Sequence, residues 1–88
     1  MPNSKQALKR HRQSLVRRTR NRVHAKTMRS QIKNFLQSLE GGDKEAAATV
    51  LAETVSRIDV TGKRGIIHKN KANRLKSRLT ARFNRAFA

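Results

Sequence analysis

Ala25-Lys26-Thr27-Met28-Arg29-Ser30-Gln31-Ile32-Lys33-Asn34-Phe35-Leu36-Gln37-Ser38-Leu39 is the stretch that decides the fold. Its apolar residues Ala25, Met28, Ile32, Phe35 and Leu39 recur at spacings of 3, 4, 3 and 4, with Leu36 widening the stripe. That is the period of an α-helix with one face turned to a core. Downstream, Ala47, Val50, Leu51, Val55 and Ile58 share a face in the same way, and Ala72, Leu75, Leu79, Phe83 and Ala86 recur at 3, 4, 4 and 3. No segment alternates in the strand period. Three amphipathic stripes predict an all-α chain packed as a three-helix bundle.

The turn signals divide the chain at matching places. Gly41-Gly42 precedes Asp43, a good N-cap, with Glu45 in the following turn. Thr61-Gly62-Lys63-Arg64-Gly65 makes the second break, and the only proline is Pro2. Asn3 with Gln6 three residues on resembles a capping box. The spacing predicts helices over about 4–40, 44–60 and 66–86 in a single domain spanning 1–88. Residues 4–22 offer only Ala7, Leu8, Leu15 and Val16 as apolar groups. A helix polar on nearly all sides is not held by a protein core, so the first half of the long N-terminal helix is expected to project from the bundle or to be a basic arm that folds only on binding.

Charge is the dominant fact of the composition. The 88 residues carry 22 Lys and Arg against 5 Asp and Glu, a net +17. It is unevenly spread: residues 1–39 hold eleven Lys/Arg and no acid, residues 40–62 hold all five acids, and residues 63–88 hold nine Lys/Arg and no acid. Two basic blocks around an acidic middle are not the pattern of a simple basic tail. Self-repulsion of this size destabilises a compact chain unless a polyanion relieves it, and nucleic acid does so with release of condensed counterions.

The cations are ordered as well as numerous. Arg18, Arg22, Lys26, Arg29 and Lys33 recur at 4, 4, 3 and 4; Lys71, Arg74, Arg78, Arg82 and Arg85 recur at 3, 4, 4 and 3. The first row follows its apolar stripe by one residue and the second precedes its own by one, in each case about 100° round the helix axis, so both rows border the core seam as cationic ridges. Lys5, Lys9, Arg10, Arg12, Arg17 and Arg20 add charge upstream. No Glu is interleaved, as it would be on a salt-bridged solvent helix, and Arg suits phosphate through its planar fork. A third candidate region is Lys63-Arg64-Gly65-Ile66-Ile67-His68-Lys69-Asn70-Lys71, where a helix start follows a glycine turn. Helix-start amides favour phosphate, and His68 and Asn70 add neutral hydrogen-bonding groups among lysines.

Sequence-specific readers of single strands need stacking aromatics. Here only Phe35, Phe83 and Phe87 exist, and the first two fall on apolar faces. Recognition by backbone and shape follows, which suits folded RNA and, on physics alone, also duplex DNA. With no Cys there is no disulfide and no Cys-type zinc site. His11, His24 and His68 have no spacing that pairs them as metal ligands, and no nucleophile has an identifiable base. Neither enzymatic activity, metal nor cofactor is expected. No apolar run is long enough to span a membrane, no secretory signal pattern is present, and a membrane-surface helix is disfavoured because the most basic segment has the poorest apolar face.

The ordered motifs carry a resemblance. Lys5-Gln6-Ala7-Leu8-Lys9-Arg10-His11-Arg12, then Met28-Arg29 with Ile32-Lys33, Gly42-Asp43-Lys44-Glu45-Ala46-Ala47, and above all Gly65-Ile66-Ile67-His68-Lys69-Asn70-Lys71-Ala72 with Arg74 and Lys76-Ser77-Arg78-Leu79 resemble the bacterial small-subunit ribosomal protein S-twenty family over essentially the whole chain. Asn73 departs from a common Ala, and Thr61-Gly62 replaces a typically Ala-rich approach. The resemblance implies a three-helix bundle with a long first helix, in the ribosome in the cytoplasm, supporting folding and assembly of the small subunit. Its implied partner is small-subunit ribosomal RNA, at the 5′ domain and the penultimate stem, with few or no protein neighbours, no membrane and no homo-oligomer. The resemblance assigns RNA contacts to Lys5, Lys9, Arg10, Arg12, His68, Lys69, Asn70, Lys71, Arg74 and Arg78; the upstream cations, the first basic row and the turn add Arg17, Arg18, Arg22, Lys26, Arg29, Lys33, Lys63 and Arg64.

Overall fold

Residues 4–40 contain neither glycine nor proline, the two residues that most strongly interrupt a helix. In the computed structural model, which describes residues 4–88, they form one continuous helix, α1 (Ser4–Glu40). α1 is about 55 Å long at ~1.5 Å per residue, in a molecule 65 × 22 × 13 Å. The capping box predicted at Asn3 lies outside the described residues. α1 stops where Gly42 takes φ +75°, a left-handed conformation open to glycine at no steric cost. There the Gly42 N–H donates to the Leu39 carbonyl at 3.4 Å.

α2 (Lys44–Lys63) opens on Asp43, whose carboxylate accepts from the Glu45 and Ala46 N–H groups at 3.1 and 3.2 Å. Glu45 in its first turn and Lys63 in its last complement the helix dipole. α2 runs three residues past the predicted end at 60. Thr61-Gly62-Lys63 is helical, and the break comes at Gly65, φ +74°. The Ile66 N–H donates to the Thr61 carbonyl (3.2 Å) and the Gly65 N–H to the Gly62 carbonyl (3.1 Å), the paired bonds of a Schellman motif. α3 (Lys69–Ala86) correspondingly begins three residues later than predicted, capped by His68, whose Nδ1 accepts from the Asn70 N–H at 3.0 Å.

α2 is the middle helix: it packs against α1 on one side and α3 on the other, while α1 and α3 meet only marginally. Phe35 and Ile58 are fully buried, joined by Met28, Ala72 and Leu79, so each helix contributes to one core. Ile32, Leu36, Leu39, Val50, Leu51, Leu75 and Phe83 pack around it. Ile67 joins them from the α2–α3 turn rather than from a helical turn. Two core positions of α2 are polar. Thr54 and Thr61 are buried, and their hydroxyls donate to the carbonyls of Val50 and Arg57, each at 2.7 Å, which satisfies them within the helix. Gln31 Nε2 of α1 also donates to Thr54 Oγ1, at 3.4 Å.

Gly62 sits inside α2 for a packing reason. A Cβ there would come within 3.2 Å of the Ala72 Cβ on α3, so the two helices approach more closely than a pair of methyl groups fits without a shift of a few tenths of an ångström. The first half of α1 has no such neighbour. Every described side chain from Lys5 to Val23 is exposed, and the predicted projection is what the structure has.

Candidate nucleic-acid interface

The core fixes where the cations point. Met28 and Phe35 are buried against α2. Arg29, one residue after Met28 and about 100° round the axis, is therefore turned to solvent, as are Arg18, Arg22, Lys26 and Lys33 in the same row. On α3, Ala72 and Leu79 anchor the buried face, and Lys71, Arg74, Arg78, Arg82 and Arg85 are exposed. On the projecting half of α1, Lys5, Lys9, Arg10, Arg12 and Arg17 are exposed on several sides.

The turn gathers the third group. Lys63, Arg64, His68, Lys69, Asn70 and Lys71 are all exposed within one short segment. Between the end of α2 and the start of α3 lies a cleft of about 250 Å³, lined by Lys63, Lys69, Asn73, Lys76, Gly62 and Ala72 together with the carboxylate-bearing Asp59. The helix start is real but displaced: the first-turn amides follow His68 rather than belonging to Ile66 and Ile67, and the Asn70 N–H among them is already taken by His68 Nδ1. His68 is itself the cap, so Nδ1 is engaged by the backbone and only Nε2 faces outward for another partner.

Arg64 is placed by a contact that spans forty residues. Its Nη1 lies 3.2 Å from Nε2 of the half-buried His24 on α1. A guanidinium only donates, so Nε2 accepts. This ties the base of the projecting segment to the α2–α3 turn and brings two of the three basic regions together. Nothing in the sequence signals it, because the partners lie on different elements and neither occupies an apolar stripe.

Electrostatically the surface is almost uncompensated. Among the described residues the one ion pair is Lys76 with Asp59, at 2.6 Å, and it is partly exposed on both sides. Exposed pairs of this kind contribute little, on the order of 0–1 kcal/mol. The ridges of α1 and α3 hold no internal counter-charge at all. Among the described residues no three His, Asp or Glu side chains gather as a metal site, and no helix is long and apolar enough to cross a membrane.

Two comparisons bear on this arrangement. The family described as Ribosomal protein S20 matches residues 2–84. Among individual proteins, the small ribosomal subunit protein bS20 of Aquifex aeolicus is 44% identical over 86 residues, 98% of this chain and 92% of that protein. The proteins of the same name from Thermomicrobium roseum and Colwellia psychrerythraea are 46% identical over 84 residues and 48% identical over 81. They cover 96% and 92% of this chain, and 85% and 94% of their own lengths. With a match that runs from the exposed basic arm through all three helices, the chain belongs to the ribosomal protein S20 family.

Proposed function

We propose that this protein is a structural, non-catalytic constituent of the small ribosomal subunit that binds small-subunit ribosomal RNA directly and supports its folding and assembly. Membership of the family supports the ribosomal role. The observation that carries direct RNA binding is the unpaired charge: 22 Lys and Arg, with a single internal ion pair among the described residues. Phosphates brought to the α1 ridge, the α3 ridge and the turn supply the missing counter-charge, and the release of condensed counterions drives binding. RNA segments that repel one another are held together by the cations between them, which lowers the cost of later assembly. The eighteen residues named from the sequence are the proposed contacts, and the 5′ domain and penultimate stem are the proposed targets. The site of action is the cytoplasmic ribosome.

Replacing Arg18, Arg22 and Arg29 together with Gln tests the α1 ridge. The slope of log affinity against log salt should flatten by about 0.7–0.9 for each phosphate no longer neutralised. An unchanged slope removes the ridge from the interface. Competition with duplex DNA tests the class of partner. A ribosomal RNA fragment preferred by ~100-fold, about 2.7 kcal/mol, supports the reading; equal competition by DNA marks the ridges as generic and favours a DNA-packaging role.

A further inference from the structure

The projecting half of α1 carries an apolar face that the bundle does not explain. Leu8, Leu15, Val16 and Val23 are 56%, 45%, 55% and 57% exposed. At about 100° per residue, they centre roughly 160° round the axis from the stripe that faces the core. No extension of the bundle along α1 would cover them, because the core stripe lies on the opposite side of the same helix.

Each part of this face is set among cations. Leu8 shares a surface hollow with Lys5, Lys9 and Arg12. Val16 shares another, of about 320 Å³, with Arg12, Arg17 and Arg20. Thr19 falls in the middle of the face, with Arg22 bordering one side and Lys9 and Arg20 the other. Apolar patches alternating with positive charge complement a chain in which sugar alternates with phosphate. A second copy of the arm does not fit, since residues 5–22 hold eight Lys/Arg and no acid and two such arms repel. A lipid surface is a poor match too, because Arg12 stands within the apolar face instead of opposite it.

We propose that this face of α1 is a contact surface for the ribose rims of an RNA duplex minor groove. The inference rests on the RNA-binding reading above and adds a second kind of contact to it. A-form RNA has a wide, shallow minor groove lined by riboses and 2′-hydroxyls, whereas its major groove is deep and narrow. Leu8, Leu15, Val16 and Val23 lie against sugars, Thr19 meets the 2′-hydroxyls, and the flanking cations reach the phosphates on either side. The apolar part of the contact releases no counterions, so it adds affinity that salt does not screen away.

The test is the double variant Leu15→Ala with Val16→Ala, measured against a duplex fragment of small-subunit ribosomal RNA. Alanine is the strongest helix former and both side chains are exposed, so neither helix nor fold is weakened. Affinity should fall about tenfold, about 1.4 kcal/mol, with the salt slope unchanged; Arg12→Gln should flatten the slope instead. Affinity within twofold of the unaltered protein overturns the inference while leaving the RNA-binding reading intact. Failure of the unaltered protein to bind with a salt-dependent affinity defeats both. Anionic phosphatidylglycerol vesicles are the remaining probe: loss of vesicle binding in the double variant, with RNA binding unaffected, overturns the inference in favour of a lipid surface.

Discussion

The close approach at Gly62 allows a prediction with opposing contributions. Replacing Gly62 with Ala removes a poor helix former from the interior of α2, a gain of about 0.8–1.0 kcal/mol. Against this stands the contact: the new Cβ would meet the Ala72 Cβ at 3.2 Å, below the ~3.5–4.0 Å at which carbon atoms attract. A shift of a few tenths of an ångström between α2 and α3 relieves it. G62A should therefore lie within about 1 kcal/mol of the unaltered protein. Gly62→Val adds two methyl groups at a contact already tight and should destabilise by about 1–3 kcal/mol through overpacking. The second half of the test is Ala72→Gly, which removes the opposing methyl. Combined with Gly62→Val, it should recover about 1 kcal/mol or more relative to the sum of the single effects. Urea denaturation followed by circular dichroism reads the unaltered protein and the four variants at one salt concentration. A Gly62→Val protein as stable as G62A, or a double variant that is simply additive, would refute the claim that glycine is there to let the helices approach.

Two further substitutions probe other parts of the frame. Phe35 is fully buried in the core shared by the three helices, so Phe35→Ala should cost about 3–5 kcal/mol, seen as a large drop in the urea midpoint; a drop worth less than about 1 kcal/mol would mean that the core does not depend on it. Gly65→Ala forces a Cβ into a left-handed turn residue, φ +74°, and should destabilise by about 1–2 kcal/mol, whereas Thr80→Ala on the exposed side of α3 should not, and thermal melts of the two distinguish backbone strain from general sensitivity.

The helices are legible because their stripes are long and regular. Ala25 to Leu39 and Ala72 to Phe83 keep their period through several turns, and the structure buries those faces. The α2–α3 junction is less legible for identifiable reasons. Gly62 reads as a breaker, but a glycine within a helix also serves close packing, and its partner Ala72 is ten residues away. Ile66 and Ile67 continue an apolar pattern, yet they follow a left-handed Gly65, and Ile67 packs on the core from the turn. Thr54 and Thr61 do not stand out as core residues, because polarity argues against burial unless the hydroxyl finds a partner within its own helix. Of the candidate interface, the exposure of the two ridges follows directly from their phase relative to the core. The apolar face of the arm shows in the sequence only as a thin pair, Leu8 and Leu15, and its opposition to the core stripe becomes informative once α1 is continuous. The His24–Arg64 contact joins distant elements and leaves no pattern in the sequence.

The order in which the helices pack also sets how quickly the frame can form. α2 touches the helix before it and the helix after it, and the outer two scarcely meet. Nearly every contact therefore closes a short stretch of chain, and helical proteins of such low contact order fold in microseconds to milliseconds. The bundle can be complete soon after synthesis. A newly made molecule then presents a finished core and an arm, residues 5–23, that nothing in the protein covers. Its exposed arginines and lysines are where a trypsin-like protease would cut first. Limited proteolysis of the isolated protein is thus expected to begin in the arm rather than in the bundle, and if the arm docks on RNA as proposed, RNA would shield the same segment.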